Sequence, residues 1–319
     1  MKKLVLPLLV LVALGVAGCG SSDDSTETSA AAATCKPGQL ATEQEGVLTI
    51  ATDKPAYPPY FEDDDPTNGE GFESAVAYAI AKQLGYPKDK VKWTVESFNS
   101  SFAPGPKDFD FDVNQISITP VREKAVDFSA PYYTANQAVV ALKGSEAAEA
   151  TSLADLQDAD LGVQIGTTSL EAAEEEIEPS SRPEVFNNSN DVVQALKNEQ
   201  IDAVVVDLPT ALYLTAVQVP QAAVVGQFSA PGGDQWGALL EKDSELTGCV
   251  SEAIEELESS GELEKITQRG MSQAAGAPEL SGCRVTVASN GRRRSAAGTA
   301  AARRSRRSPA SSSSAASRP

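Results

Sequence analysis

ISITPVREKAVDFSAPYY, residues Ile116–Tyr133, is the stretch that decides how this chain reads. A β-rich run, Phe111 to Ile118, leads into Thr119-Pro120, and Arg122 follows two residues later. Proline fits the first turn of a helix, where its missing N–H costs nothing. Arg122 is therefore expected just beyond the C-terminal end of a strand, where open α/β sheets bind their ligands. A guanidinium offers a planar fork of donors that matches a carboxylate, and Ser117 and Thr119 add hydroxyls beside it. An arginine taken alone is more often a solvated surface group, here paired with Glu123 or Asp127. The words around it reverse that preference.

Upstream, Val47 to Thr52 alternates as a first strand and runs into the Pro-rich loop DKPAYPPYF. EDDDPTNGEG follows as a turn. Its Asp63, Asp64 and Asp65 suggest calcium, but Asn68 stands where an EF-hand loop needs Gly and no glutamate closes the loop, so no metal is expected. Phe72, Val76, Ile80 and Leu84 form one face of a helix ending near Gly85, and Val91 to Val95 is a strand. Downstream of Tyr133 the pattern restarts. Gln137 to Leu142 is a strand, and Leu161 to Ile165 another, entering Gly166-Thr167-Thr168-Ser169 and an Ala/Glu helix. Val192, Ala195 and Leu196 mark a helix. Ala203 to Val206 is a buried strand ending in Asp207-Leu208-Pro209, Ala222 to Gln227 a further strand, and a helix around Val250 to Leu257 closes the fold. Repeated strand-helix-strand units imply mainly parallel, doubly wound α/β sheets.

The ends of the chain are different in kind. Residues 1–18 carry Lys2 and Lys3, an apolar run and then small residues, the pattern of a secretory signal. Val16-Ala17-Gly18-Cys19 reads as a lipobox, with Cys19 lipidated and becoming the mature N-terminus. Such a lipid holds a protein at a membrane surface without spanning it. Residues 19–34 read as a flexible tether and 276–319 as a disordered basic tail with nothing to bury. That tail reads either as an electrostatic arm or as a run-on in a changed reading frame; the second is preferred. From Arg284 onward it holds nine Arg and no acidic residue, so all 45 acidic side chains lie ahead of it. A body that acidic repels nucleic acid and anionic membrane surfaces, so no nucleic-acid partner is expected. The 319 residues include no His, which excludes Ser-His and Cys-His nucleophile pairs and His-ligated metals. Hydrophobic content of 41% is enough for real cores.

Ser117, Thr119, Arg122, Asp127-Phe128-Ser129 and Pro131-Tyr132-Tyr133 together resemble the pattern of the polar amino-acid-binding proteins of ABC transporters, bacterial solute-binding proteins of family 3. The resemblance extends over about Gly46 to Gly270. It implies a two-lobed periplasmic-binding-protein-like clamshell (type II), with lobe 1 from 35–134 plus 230–275, lobe 2 from 135–229, and a hinge of two crossings. It further implies a monomer without cofactor that delivers an amino acid to an ABC permease and its ATPase subunits. By resemblance, Arg122 with the Gly166-Thr167-Thr168 turn would grip the ligand carboxylate. Asp207, Ser117 and the carbonyl near Gln115 would take the ammonium, although on sequence alone Asp207 reads equally as a helix N-cap. Tyr57 and Phe98 would sandwich the side chain, with Phe98 and Phe102 able to exchange roles, and Asp53, Asn114, Gln115 and Gln164 would set selectivity. Lobe 1 would contain both Cys35 and Cys249, which pairs them and leaves Cys283 free, with Cys249–Cys283 the open alternative. Relatives of the family include periplasmic dehydratases, so an enzyme on the same scaffold is the competing function. An acid or base outside the zwitterion's grip would mark one, and Asp53 is the only candidate.

Overall fold

The computed structural model describes residues 35–36, 39–230, 232–271 and 277–281. The signal segment, Cys19, the tether, Cys283 and the Arg-rich stretch lie outside the described residues. In chain order the described residues form β1 (Leu48–Thr52), α1 (Phe72–Gln83), β2 (Val91–Val95), α2 (Phe98–Ser101), β3 (Phe111–Asp112), β4 (Val126–Ala135) and β5 (Gln137–Leu142). There follow β6 (Leu161–Gln164), α3 (Thr168–Ala172), β7 (Glu184–Phe186), α4 (Ser189–Lys197), β8 (Ala203–Asp207), α5 (Leu208–Tyr213), β9 (Ala222–Phe228), β10 (Asp234–Glu241), α6 (Thr247–Ser259) and α7 (Glu262–Met271). No helix among the described residues is long and apolar enough to cross a membrane.

Two five-stranded sheets result, in the orders β2-β1-β3-β10-β4 and β7-β6-β8-β5-β9. In each, the first three strands pair in parallel and the fourth is antiparallel to both neighbours. The two reversed strands, β10 and β5, are the ones that receive the chain from the other sheet, through 229–233 and through Asn136. Each sheet anchors a lobe of an α/β clamshell. The first lobe has a large apolar cluster, including Ile50, Val76, Ile80, Trp236 and Ile254, and a smaller one of Ala51, Phe109, Ile116, Val126 and Leu239. The second lobe has a cluster on each face of its sheet, around Val139 and Leu161 on one side and Val140 and Leu196 on the other.

The run Phe111 to Ile118 differs from a single long strand. Pairing stops at Asp112, Gln115 sits in the left-handed region with φ +50°, and Ser117 rejoins the sheet by bridging Trp236. The cause is Glu73, fully buried in the first turn of α1. Its carboxyl group accepts the Gln115 backbone N–H at 2.7 Å, the Gln115 side-chain amide and the Tyr132 hydroxyl. Three donors converge on one buried acceptor and hold the chain in a conformation that a non-glycine residue rarely adopts. Burial raises Glu73 to about 7 against those hydrogen bonds, which pull it down.

A disulfide joins Cys35, ahead of β1, to Cys249 of α6, across 214 residues. In the chain-entropy treatment, a loop of that length stabilises the fold by about 5 kcal/mol. The sequence assigns everything from 276 to a tail, but Ala277–Ser281 is ordered against the second lobe. Gln227 donates its N–H to the Pro278 carbonyl at 2.7 Å and accepts the Leu280 N–H at 2.8 Å, and Leu280 is 6% exposed. Gly226 makes room for this segment: a Cβ there would lie 2.5 Å from Leu280 Cγ and 2.9 Å from the Pro278 carbonyl oxygen.

Two outcomes follow for the full chain. A carboxyl raised in the folded state contributes stability that is complete below its unfolded value of 4.5 and lost as pH rises through about 7. The unfolding midpoint should therefore fall between pH 5 and 7.5. Glu73→Gln should flatten that slope by an amount on the order of 3 kcal/mol. Separately, Gly226→Val should lift Ala277–Ser281 off β9 at a cost of about 1–3 kcal/mol, seen as faster amide exchange at Gln227 and Leu280.

Candidate ligand-binding cleft

Where the lobes face each other, ten residues singled out in the sequence line one cavity: Asp53, Tyr57, Phe98, Asn114, Gln115, Ser117, Gln164, Thr167, Thr168 and Asp207. Arg122 stands at its edge, in the short turn Arg122–Lys124, and is 7% exposed. Its guanidinium donates to the Ser117 carbonyl at 2.7 Å within its own lobe and to the Gly166 carbonyl at 2.8 Å in the other. The Phe102 and Phe98 rings lie over it at 4.6 and 5.5 Å, so Phe102 covers the cation while Phe98 also walls the cavity. Burial lowers the Arg122 pKa, and the charge of Asp234 opposes that shift. Gly166 has φ +77°, which favours glycine, and a Cβ there would also push on Asn99 Oδ1 at 2.7 Å.

Thr168 reaches across in the same region. Its hydroxyl lies 3.2 Å from Ser117 Oγ and donates to Asp234 Oδ2 at 2.9 Å. Tyr60 and Thr210 hydroxyls meet at 2.8 Å, a further bond between lobes. Thr167 turns back to donate to the Gln164 carbonyl at 2.8 Å.

Asp207 closes β8 and opens α5, but its side chain makes no cap hydrogen bond. It accepts instead from Gln137 Nε2 at 2.6 Å, and the same nitrogen donates to Asp234 Oδ2 at 2.7 Å. Burial first, and the Asp234 charge second, push the Asp207 carboxyl well above the usual range. Gln137 and Asp234 were not visible as site residues in the sequence. Each gains its place because β5 and β10 start at the crossings between lobes.

At the far end, Asp53 accepts the backbone N–H of Lys54 at 2.6 Å and of Phe98 at 3.3 Å. Gln164 accepts the Ser189 hydroxyl at 2.5 Å, and the Tyr57 hydroxyl partners Asn190 across the cleft. Beneath this end, Asp112 is fully buried with no donor to either oxygen among the described residues, and burial pushes its carboxyl well up. Asn114 Nδ2 is likewise without a partner among the described residues. The arrangement can hold a small polar molecule with a carboxylate at the Arg122 end and positive charge at the Asp207 and Asp53 ends.

Residues 48–272 match the bacterial extracellular solute-binding proteins, family 3. The chain is similar to the arginine-binding extracellular protein ArtP of Bacillus subtilis (strain 168), 31% identical over 275 residues that cover 84% of this chain and 98% of that protein. Among solved structures, an ancestral arginine-binding protein bound to glutamine has a TM-score of 0.61 at 32% identity, over 72% of this chain and 99% of that one. The ancestral amino-acid-binding protein AncCDT-1, a precursor of cyclohexadienyl dehydratase, has a TM-score of 0.57 at 30% identity, over 70% of this chain and 94% of that one. With the family pattern spanning both lobes, this chain belongs to the bacterial extracellular solute-binding proteins of family 3.

Proposed function

We propose that this chain is an extracytoplasmic receptor that captures one polar amino acid between its lobes and delivers it to an ABC permease with its ATPase subunits. A lipid on Cys19 would hold it at the outer face of the cytoplasmic membrane, as a monomer. One observation carries the binding function: Asp207 lines a cavity between the lobes, and the Arg122 guanidinium reaches across the same junction to the Gly166 carbonyl, beside the Thr167 and Thr168 that line it. When the lobes part, the bond from Arg122 to the Gly166 carbonyl breaks and the guanidinium is freed for an incoming carboxylate. The backbone N–H groups of Thr167 and Thr168 then complete the carboxylate grip, and Asp207 takes the ammonium with Ser117 beside it. Contacts made only when both lobes are present favour the closed form.

Asp53 gives the cavity a negative far end, and Asn114, Gln115 and Gln164 add amides. That favours a cationic side chain, in keeping with the arginine-binding relatives. Tyr57 and Phe98 would flank its aliphatic stem. Catalysis would need an acid or base outside the zwitterion's grip. Both Asp53 oxygens are engaged by backbone N–H groups, which favours binding over a dehydratase-like reaction.

Thermal unfolding of the full chain against the twenty common L-amino acids tests the receptor function. A cationic amino acid at about a hundred times its Kd should add about 2.7 kcal/mol. Arg122→Ala and Asp207→Ala should each abolish the shift, and Arg122→Lys should not restore it, because a point charge lacks the planar fork. No shift with any amino acid would overturn the proposal and direct attention to turnover of cyclic carboxylates. Asp53→Asn should weaken L-arginine by about tenfold or more, the loss of roughly 1.4 kcal/mol, and leave L-glutamine within a few-fold.

A further inference from the structure

Asp207, at the end of β8, and Asp234, at the start of β10, meet on one nitrogen, Gln137 Nε2, at 2.6 and 2.7 Å. Thr168 gives Asp234 Oδ2 a second donor. Among the described residues Asp234 Oδ1 has none, although the residue is only 2% exposed. A buried carboxylate oxygen without a donor, beside a second carboxylate, is costly. A proton held between the two carboxyl groups supplies the missing donor and removes the like-charge repulsion.

The surroundings do not supply it otherwise. Arg122 is the cation near both groups, and Glu171 of α3 adds a further negative charge beside it. Tyr60 and Tyr133 face Asp207 with hydroxyls that burial, first, and Asp207, second, hold in the neutral form. Ser169 commits its hydroxyl to Gln137 Oε1 at 2.6 Å. The pair also borders two different spaces. Asp207 lines the ligand cavity, and Asp234 lines a separate hollow on the hinge side with Glu171, Glu175 and Gly233.

We propose that Asp207 keeps its proton, turned toward Asp234, when no ligand is bound, and releases it when an α-ammonium group takes its place, so that capture of an amino acid is coupled to loss of one proton. This rests on the amino-acid receptor function. The O–H bond of Asp207 breaks, the proton passes to water, and the ammonium keeps its own three protons. Asp234 acts through Asp207 and is a positioning residue. The ammonium, facing Asp207 from the ligand cavity, replaces the proton as the positive charge beside that carboxylate, and an opposite charge at that range favours the ionised form.

Coupling to one proton makes affinity rise about tenfold per pH unit while Asp207 is protonated, and level off above that range. Two measurements on the full chain decide the matter. The first is a ¹³C NMR titration of the aspartate carboxyl carbons without ligand. A signal that titrates well above the ordinary aspartate range and moves down in Asp234→Asn is expected. The second is calorimetry with L-arginine and with L-glutamine in buffers of different ionisation enthalpy, from pH 5 to 8. About one proton should leave per ligand bound in the wild type, and Asp234→Asn should lose both that release and the pH slope. Ligand binding with no proton release at any pH would overturn the proposal while leaving the receptor function intact. If neither amino acid binds, the receptor function fails on its own, and the ligand-free titration still decides: an Asp207 signal at ordinary pH, unchanged by Asp234→Asn, ends the proposal.

Discussion

The cleft depends on one carboxamide. Gln137 is fully buried, with its N–H groups committed to Asp207 and Asp234 and its oxygen to the Ser169 hydroxyl. Asp234 is almost fully enclosed and Asp207 part-buried beside it, and two carboxylates so placed need a common donor, because an unpaired buried charge costs several kcal/mol. Gln137 is also the first residue of β5, directly after the crossing at Asn136. The point where the chain changes lobes is therefore the point where the acidic side of the cleft is organised. A shift at either element that flanks the crossing is felt first by the two carboxylates.

The parts of this arrangement legible in the sequence are those written in contiguous words. Arg122 follows Thr119-Pro120, Asp207 ends a buried apolar strand, and the Gly166 turn ends another; each position declares itself through its own neighbours. Gln137 and Asp234 carry no such signal, because their meaning arises only when β5 and β10 converge from points 97 residues apart. Glu73 was hidden for a different reason. It follows Phe72 on a helix whose apolar face reads cleanly, and nothing local says that an acidic neighbour is buried. Its partner Gln115 sits in the middle of a run with strand composition, so the break there could not be anticipated from propensity. Strands β4 and β10 escaped the periodicity altogether. β4 carries Pro131 and β10 Gly237, and the register between them slips at Gly237, which destroys clean alternation.

The first lobe also buries more acid than its fold requires. Glu73, Asp110 and Asp112 are all raised by burial, Glu73 to about 7 and Asp110 to about 6. Asp110 has a structural task, accepting the N–H groups of Thr49 and Glu43 at 2.6 and 2.7 Å and so fixing the entry to β1. Glu73 shapes the cleft wall through Gln115. Asp112, with no donor among the described residues, sits close enough to Asp53 for the two to repel, so the negative end of the cavity rests on a second layer of carboxyl groups. Such a floor weakens the folded state as it ionises, the usual accompaniment of a site shaped for binding.

The short ordered segment beyond α7 has a consequence for the second lobe. β9 is the last strand in its sheet, so one side of its backbone has no neighbour within the sheet. Ala277–Ser281 occupies part of that side, in a parallel bridge between Gln227 and Glu279, while a second bridge ties Ser152 to Ser281. A row of free N–H and C=O groups on such a strand is a template for pairing with another molecule. The family match ends at residue 272, just short of the segment that covers this edge. A chain trimmed to the matched span would keep every residue of the cleft and yet present a bare β9 to its own copies, so self-association would begin along that edge.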